Sequence, residues 1–174
     1  MSDYLLGPVA EAELPALAAL MAQSPLLGRY RVAYRAALAS LQDAHAAGDA
    51  LLVARLDAAD QGANAPPRAG AAIAIIAGFA WLTFAPRMLG GAAYLRLLLV
   101  AEAYQGHGLG ARLLAAVERR ARERGANHLY LLATTDNHRA RRFYAHHGYR
   151  HVGDLPGLMW PDLDEALYHK PLLV

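Results

Sequence analysis

The apolar positions of this chain change period along its length, and each change marks an element. Leu14, Leu17, Ala18 and Met21 recur at helical spacing between Glu11 and Gln23, and Ser24-Pro25 stops that helix. After an exposed link, Ser24 to Gly28, a second helical pattern runs from Arg29 to Ala47 and ends at Gly48. Asp3 to Gly7 reads as a short first strand and Leu51 to Leu56 as another. Asp57 to Arg68 is alanine-rich and carries Gly62, Asn64, Pro66 and Pro67, the composition of a hairpin loop. Ala69 to Pro86 then runs without a charge. It reaches the lower length of a membrane helix, but Gly78 interrupts it and isoleucine, phenylalanine, tryptophan and threonine enrich it. It reads as a long central strand, Gly70 to Phe84, bent or bulged near Gly78.

Pro86 to Gly91 turns into a buried strand, Ala93 to Val100, apolar from Tyr94 onward except for Arg96. Beyond it Leu109, Leu113, Leu114, Val117 and Ala121 share one face of a helix that ends at Gly125. On its outer face Arg119–Glu123 and Glu118–Arg122 sit four apart, as surface support. His128 to Thr134 is a strand, and Asn137 to His147 is a short helix capped by Gly148. Tyr149 to Gly153 begins a strand, Asp154 to Asp164 is a loop, and Glu165 to Leu172 is the last strand. The order is β-α-α-β-β-β-α-β-α-β-β, an α/β (α+β) chain without repeat or linker.

Composition narrows the function. At 174 residues, 56% apolar and 18% charged, the chain reads as one globular domain, 1–174, with a sizeable core. A net charge of +2 and arginines at helical spacing, Arg119 to Arg124 and Arg139 to Arg142, describe solvated helix faces rather than a nucleic-acid stripe. There is no cysteine, so disulfides, thiolate metal sites and a cysteine nucleophile are excluded. No basic segment leads into an apolar N-terminal core, so a cytoplasmic protein with no membrane or metal partner is expected.

Candidate chemistry concentrates between the strand ending at Val100 and the helix after it. Gly106, Gly108 and Gly110 alternate there. Strand, glycine turn and helix start make an anion site, because the first helical N–H groups lack intrahelical partners and the dipole there is positive. The turn alone does not name the anion. Gly106, Gly108 and Ala111 fit the loose dinucleotide pattern, but that pattern wants an acid closing the next strand, and the first acid, Asp136, comes late. A phosphate-binding P-loop would need Gly-Lys-Ser/Thr, and the turn ends Gly-Leu-Gly.

The stretch Asn137 to Tyr149 decides between these readings. Gln105, Gly108 and Gly110 match Gln/Arg-x-x-Gly-x-Gly/Ala after an apolar strand. Asn137, Ala140, Phe143, Tyr144, Gly148 and Tyr149 match Asn-x-x-Ala-x-x-Phe-Tyr-x-x-x-Gly-Phe/Tyr. In this order and spacing the two motifs resemble the GNAT superfamily of acyl-CoA-dependent N-acyltransferases, strongly over Tyr94 to Gly153 and in layout elsewhere. The resemblance implies a mixed, mostly antiparallel central sheet of about six or seven strands flanked by about four helices. It also implies a splayed parallel pair, Tyr94–Val100 and His128–Thr134, opened by a bulge around Leu98. The implied activity is acetyl transfer from acetyl-CoA (coenzyme A) to a small-molecule or peptide amine, by a protein that could form a homodimer.

The resemblance also assigns residues. The pyrophosphate would sit on backbone N–H groups from Gln105, Gly106, His107, Gly108, Leu109, Gly110 and Ala111, with a side-chain hydrogen bond from Gln105. His107 is either a phosphate or ribose contact or a surface residue. The pantetheine arm would pair with the backbone of Leu98, Leu99 and Val100 and lie against Ala140. The Leu98 N–H would polarise the thioester carbonyl. Asn137 either binds the pantetheine amide or caps its helix together with Asp136. Tyr144 is either the general acid for the departing thiolate or a ring packed against the cofactor. The candidate bases are Glu102, Asp154, Asp162, Asp164 and Glu165, and a water chain would also serve. The acceptor would enter between Pro25–Arg35 and Leu155–Asp164, against Tyr30, Tyr34 and Trp160, with Arg29, Arg31, Arg35, Leu158 and Met159 nearby. Two rivals remain: an acyl-CoA-binding sensor without turnover, and a nicotinamide-dinucleotide enzyme.

Overall fold

The computed structural model describes residues 4–56, 75–85 and 91–172. The predicted loop Asp57 to Arg68, the beginning of the long strand (70–74) and most of the turn before the next strand (86–90) lie outside the described residues. The chain forms β1 (Tyr4–Pro8), α1 (Leu14–Gln23), α2 (Pro25–Gly28), α3 (Tyr34–Ala46), β2 (Ala50–Leu56), β3 (Ile76–Ala85) and β4 (Ala92–Val100). It continues with α4 (Leu109–Glu123), β5 (His128–Thr134), α5 (His138–His146), β6 (Arg150–Trp160) and β7 (Leu163–Pro171). Short 3-10 turns precede α1 and α4. The strands form one seven-stranded sheet, β1-β2-β3-β4-β5-β7-β6. Among the described residues only β4 and β5 pair in parallel.

The sheet is covered on both faces, which explains why β3 carries no polar alternation. Phe79 and Trp81 pack with Leu14, Leu17, Met21 and Leu41 of α1 and α3. Ala80 and Leu82 pack on the opposite face with Leu114, Val117 and Ala121 of α4. Gly78 is fixed by space: a Cβ there would lie 2.6 Å from the Leu99 carbonyl oxygen. The β2–β3 register also slips beside it, as expected.

The feature that builds the site is a bulge in β4. Trp81 faces Leu97 and Leu82 faces Leu95, so Arg96 is the extra residue. The bulge thus lies at Arg96, before the Leu98 position expected. Its effect is visible in the packing. Leu95 and Leu98, three apart, both join the α4 face, while Leu97 and Leu99 turn to the α1–α3 face. The parallel pairing of β4 with β5 ends at Leu95–Leu131, and the strands splay beyond it.

Three further expectations change. The second helix starts at Tyr34, not Arg29. The link before it contains α2, which opens on Pro25 with the Ser24 hydroxyl accepting from the Leu27 N–H at 3.5 Å. Between α2 and α3, Arg31 has φ 57°, the only non-glycine in the left-handed region among the described residues. β6 also runs through the predicted loop. Pro156 and Gly157 broke the apolar pattern, but an edge strand tolerates proline, and the register slips there between Leu155 and Trp160. Finally, Glu118 is no surface residue. It is 9% exposed, accepts from the Tyr149 hydroxyl at 3.1 Å and pairs with Lys170 at 2.7 Å, tying α4 to β7 and the start of β6. No helix among the described residues is long and apolar enough to cross a membrane.

Candidate active site

The splay and the glycine turn form one continuous groove of about 910 Å3. Ala101 donates its N–H to Ala77 on β3 at 2.9 Å. Backbone groups alternate sides along a strand, so those of Val100 and Leu98 face the splay. There they meet no strand and can pair with an extended, amide-bearing ligand. At the end of the strand the chain turns through Gly106 (φ 83°) and Gly108 (φ 77°), the residue that caps α4. A Cβ on either glycine would meet no atom within 4 Å, so the turn presents bare backbone to open space. The first bond of the helix from residue i to residue i−4 runs from Arg112 N–H to the Gly108 carbonyl at 3.2 Å. The N–H groups of Leu109, Gly110 and Ala111 therefore lack helical partners at the positive end of a 15-residue helix.

Leu98, Leu99 and Val100 line this groove, as do Gln105, Gly106, Gly108, Leu109, Gly110 and Ala111, and Asn137, Ala140 and Tyr144 from across the splay. His107 is exposed and not part of the wall. The Gln105 side chain is engaged within the protein. Its Nε2 donates to the Val100 carbonyl at 3.0 Å, and its Oε1 accepts from Arg139 at 2.8 Å. Gln105 therefore locks the turn to the strand end and to α5. The cation brought to the groove is Arg139, which sequence reasoning left on a solvated face. Asn137 caps α5, its Oδ1 accepting from the Ala140 N–H at 3.1 Å, and its amide nitrogen remains for a ligand. Asp136 does not share the cap. It forms a two-pronged pair with Arg29 at 2.8 and 2.9 Å, joining the end of α2 to the loop before α5 along the groove wall. The pair is exposed and so adds little stability, but it fixes where α2 sits.

A second cavity, about 660 Å3, opens on the α1–α3 face and shares Leu98, Asn137, Ala140 and Tyr144 with the groove. Of the residues expected to meet the acceptor, Tyr30 and Trp160 line it; Tyr34, 41% exposed at the start of α3, does not. Two guanidinium groups stand in it over aromatic rings: Arg31 lies 4.4 Å from the Trp160 ring centre and Arg96 lies 4.6 Å from that of Trp81. The positive φ of Arg31 and the bulge at Arg96 are the backbone irregularities that place them.

Tyr144 lies at the junction. Its ring packs edge-on to Phe143 and Tyr149. Among the described residues its hydroxyl has no hydrogen-bond partner. Burial holds its pKa well above that of an ordinary phenol, so the group stays protonated at any working pH. Of the acids named as bases, only Glu165 lines the second cavity. Glu102 is exposed on the wall of the first groove. Asp154 is exposed and bound to His151 at 2.7 Å, and Asp164 accepts from the Gly157 N–H at 3.0 Å. Glu165 is 1% exposed and its Oε1 accepts from the Tyr30 hydroxyl at 2.5 Å. Burial pushes its carboxyl above the usual carboxylate range, although the Tyr30 bond and the Arg29 charge oppose the shift. No group of three or more histidine, aspartate or glutamate side chains that could hold a metal ion occurs among the described residues.

The acetyltransferase (GNAT) family model matches residues 34–149. The chain belongs to the GNAT family. This GNAT protein is accordingly an acyl-CoA-dependent N-acetyltransferase, and acetyl-CoA is its cofactor. Solved structures share the fold at low identity. Ard1 from Thermoplasma volcanium is 18% identical, with a TM-score of 0.74 over 98% of this chain and 99% of that one. The yncA protein of Salmonella typhimurium, solved with its cofactor acetyl-CoA, is 17% identical, with a TM-score of 0.72 over 98% and 94%. A ribosomal-protein-alanine N-acetyltransferase from Brucella melitensis is 21% identical, with a TM-score of 0.70 over 96% and 99%. No curated protein matches the chain. The GNAT groove suits the cofactor on its own chemistry: free N–H groups at a helix start and Arg139 for phosphates, an unpaired strand edge for the peptide-like arm.

Proposed function

We propose that this GNAT enzyme moves an acetyl group from acetyl-CoA directly to the primary amine of a small, amino-acid-like acceptor. The observation that carries the proposal is that two cavities meet at Leu98 and Tyr144, one suited to the cofactor and one polar enough for an acceptor. Bound acetyl-CoA supplies an activated thioester. The N–H groups of Gly106 and Gly108 to Ala111 hold its pyrophosphate, with Arg139 beside them. Backbone groups of Leu98 and Val100, and the free amide of Asn137, hold the pantetheine arm. The Leu98 N–H polarises the thioester carbonyl, which makes its carbon a better target for an amine. The Tyr144 hydroxyl delivers a proton to the departing sulfur.

The acceptor reading follows from charge placement. The second cavity pairs one buried carboxylate, Glu165, with the guanidinium groups of Arg31 and Arg96 against indole rings. A molecule bearing both an ammonium and a carboxylate answers both ends. Free-thiol release with a panel of amines tests this. An amino acid should be at least tenfold better in kcat/KM than the same amine lacking its carboxylate, about 1.4 kcal/mol. Equal values would remove the arginines from acceptor recognition, and preference for peptides would move the acceptor to a chain N-terminus.

A further inference from the structure

Among the described residues three polar side chains are buried: Glu118, Thr134 and Glu165. Glu118 is fully answered by Tyr149, Lys170 and Arg122. Glu165 is not. Among the described residues no cation pairs with it, since Arg29 is taken by Asp136. Among the described residues its Oε2 has no hydrogen-bond partner, nor has the Thr134 hydroxyl opposite it across the β5–β7 pair. A buried carboxylate oxygen without a donor is costly, and folded proteins seldom leave one. Glu165 lines the cavity that meets the cofactor groove at Tyr144, with Oε2 closed off from solvent. A ligand with N–H donors and positive charge would remove the cost.

We propose that Glu165 is the catalytic base: its Oε2 receives the acceptor's ammonium and takes the proton that frees the nitrogen lone pair. The proposal rests on reading the second cavity as the acceptor pocket. The exchange balances. One proton passes from the ammonium to Glu165 and the nitrogen forms a bond to the acetyl carbon. As the carbon–sulfur bond breaks, Tyr144 gives its proton to the sulfur, the nitrogen sheds its second proton through water to restore the Tyr144 hydroxyl, and Glu165 returns its proton to solvent. Tyr30 is a positioning residue, since its hydroxyl holds Oε1 and so fixes the carboxyl plane. The charged and titratable groups facing Glu165 are Tyr30 and Arg29 from the α2–α3 segment, Tyr94 on β4 and Asp136 before α5. Arg31 and Arg96 share its cavity. With its carboxyl raised by burial, Glu165 becomes a better proton acceptor at neutral pH.

The test is Glu165→Gln, which keeps the shape and the Tyr30 bond. At pH 7 kcat/KM with an amino-acid acceptor should fall at least 100-fold, with the acetyl-CoA Kd unchanged within twofold. The variant's rate should then climb about tenfold per pH unit toward the amine's own pKa, because only free amine reacts. Tyr30→Phe should move the acid limb of the wild-type profile to higher pH, since the lost bond had favoured the carboxylate. The Tm of Glu165→Gln should equal or exceed that of wild type, because a burial cost is relieved; a merely structural Glu165 would lower it. A Glu165→Gln enzyme within threefold of wild type at pH 7, with the same profile, overturns the proposal. Carbon-13 NMR of the Glu165 carboxyl, identified by its absence in the variant, separates the two readings with methylammonium as probe. If no amino acid is acetylated but the signal moves, the ammonium site stands and the amino-acid reading fails. If the signal stays still, the Glu165 proposal fails whatever the panel shows.

Discussion

Tyr144→Phe separates a proton donor from a packing ring. The substitution keeps the ring contacts with Phe143 and Tyr149 and deletes a hydroxyl that has no partner among the described residues. Tyr144 lines both cavities and its hydroxyl is not a closed-off orphan, so removing it should leave stability nearly unchanged. The acetyl-CoA Kd should hold within twofold. If the hydroxyl protonates the leaving sulfur, kcat should fall roughly 10- to 100-fold, about 1.4 to 2.7 kcal/mol of transition-state free energy. That is at or below the low end of general-acid effects, because a thiolate leaves readily. A loss confined to kcat marks an interaction made in the transition state. Burial holds the phenol above its ordinary range, so its ionisation should contribute no alkaline limb to the wild-type profile. The assay is thiol release under saturating cofactor, with pre-steady-state traces showing no burst, so that chemistry limits the rate. Under those conditions a Tyr144→Phe enzyme as fast as its parent refutes the general-acid role. Tyr144 would then be a wall of the groove, and water would deliver the proton.

Gly108→Asp places a carboxylate, and a strained positive φ, where the turn offers bare N–H groups. Acetyl-CoA affinity by calorimetry should fall at least tenfold, about 1.4 kcal/mol; unchanged affinity in a folded variant would take the phosphate role from the turn. Trp160→Ala removes the ring under Arg31 and should raise the acceptor KM with little change in cofactor affinity. A loss of stability near 3–5 kcal/mol, typical of a buried tryptophan, would instead make it a packing residue.

Local signals carried most of the fold into view. The Gly106-to-Gly110 turn, the apolar face from Leu109 to Ala121 and the motif from Asn137 to Tyr149 are short-range patterns, and each lies where its period puts it. What stayed hidden depends on long-range placement. Arg139 has the same helical spacing as its solvated neighbours, and only the approach of α5 to the turn brings it to Gln105. Glu165 was one acid among several until the Thr134–Glu165 register and Tyr30 enclosed it. Glu118 fitted an outer face until Tyr149 and Lys170 covered it. The bulge at Arg96 left no local trace, because a charged residue in an apolar strand also fits an exposed edge. Only the later part of β6, from Asp154 to Trp160, reads as a loop, because Pro156 and Gly157 are turn residues, and edge strands admit both.

The central claim is direct acetyl transfer to an amine at the junction of the two cavities. Mass spectrometry of reaction mixtures containing the protein, acetyl-CoA and one amino acid at a time tests it most directly. The account predicts that at least one amino acid gains one acetyl group on its amine, in equal amount to the coenzyme A thiol released, with no acetylated protein as an intermediate. Tight acetyl-CoA binding with thiol release no faster than without acceptor, across amino acids, simple amines and peptides alike, would contradict it.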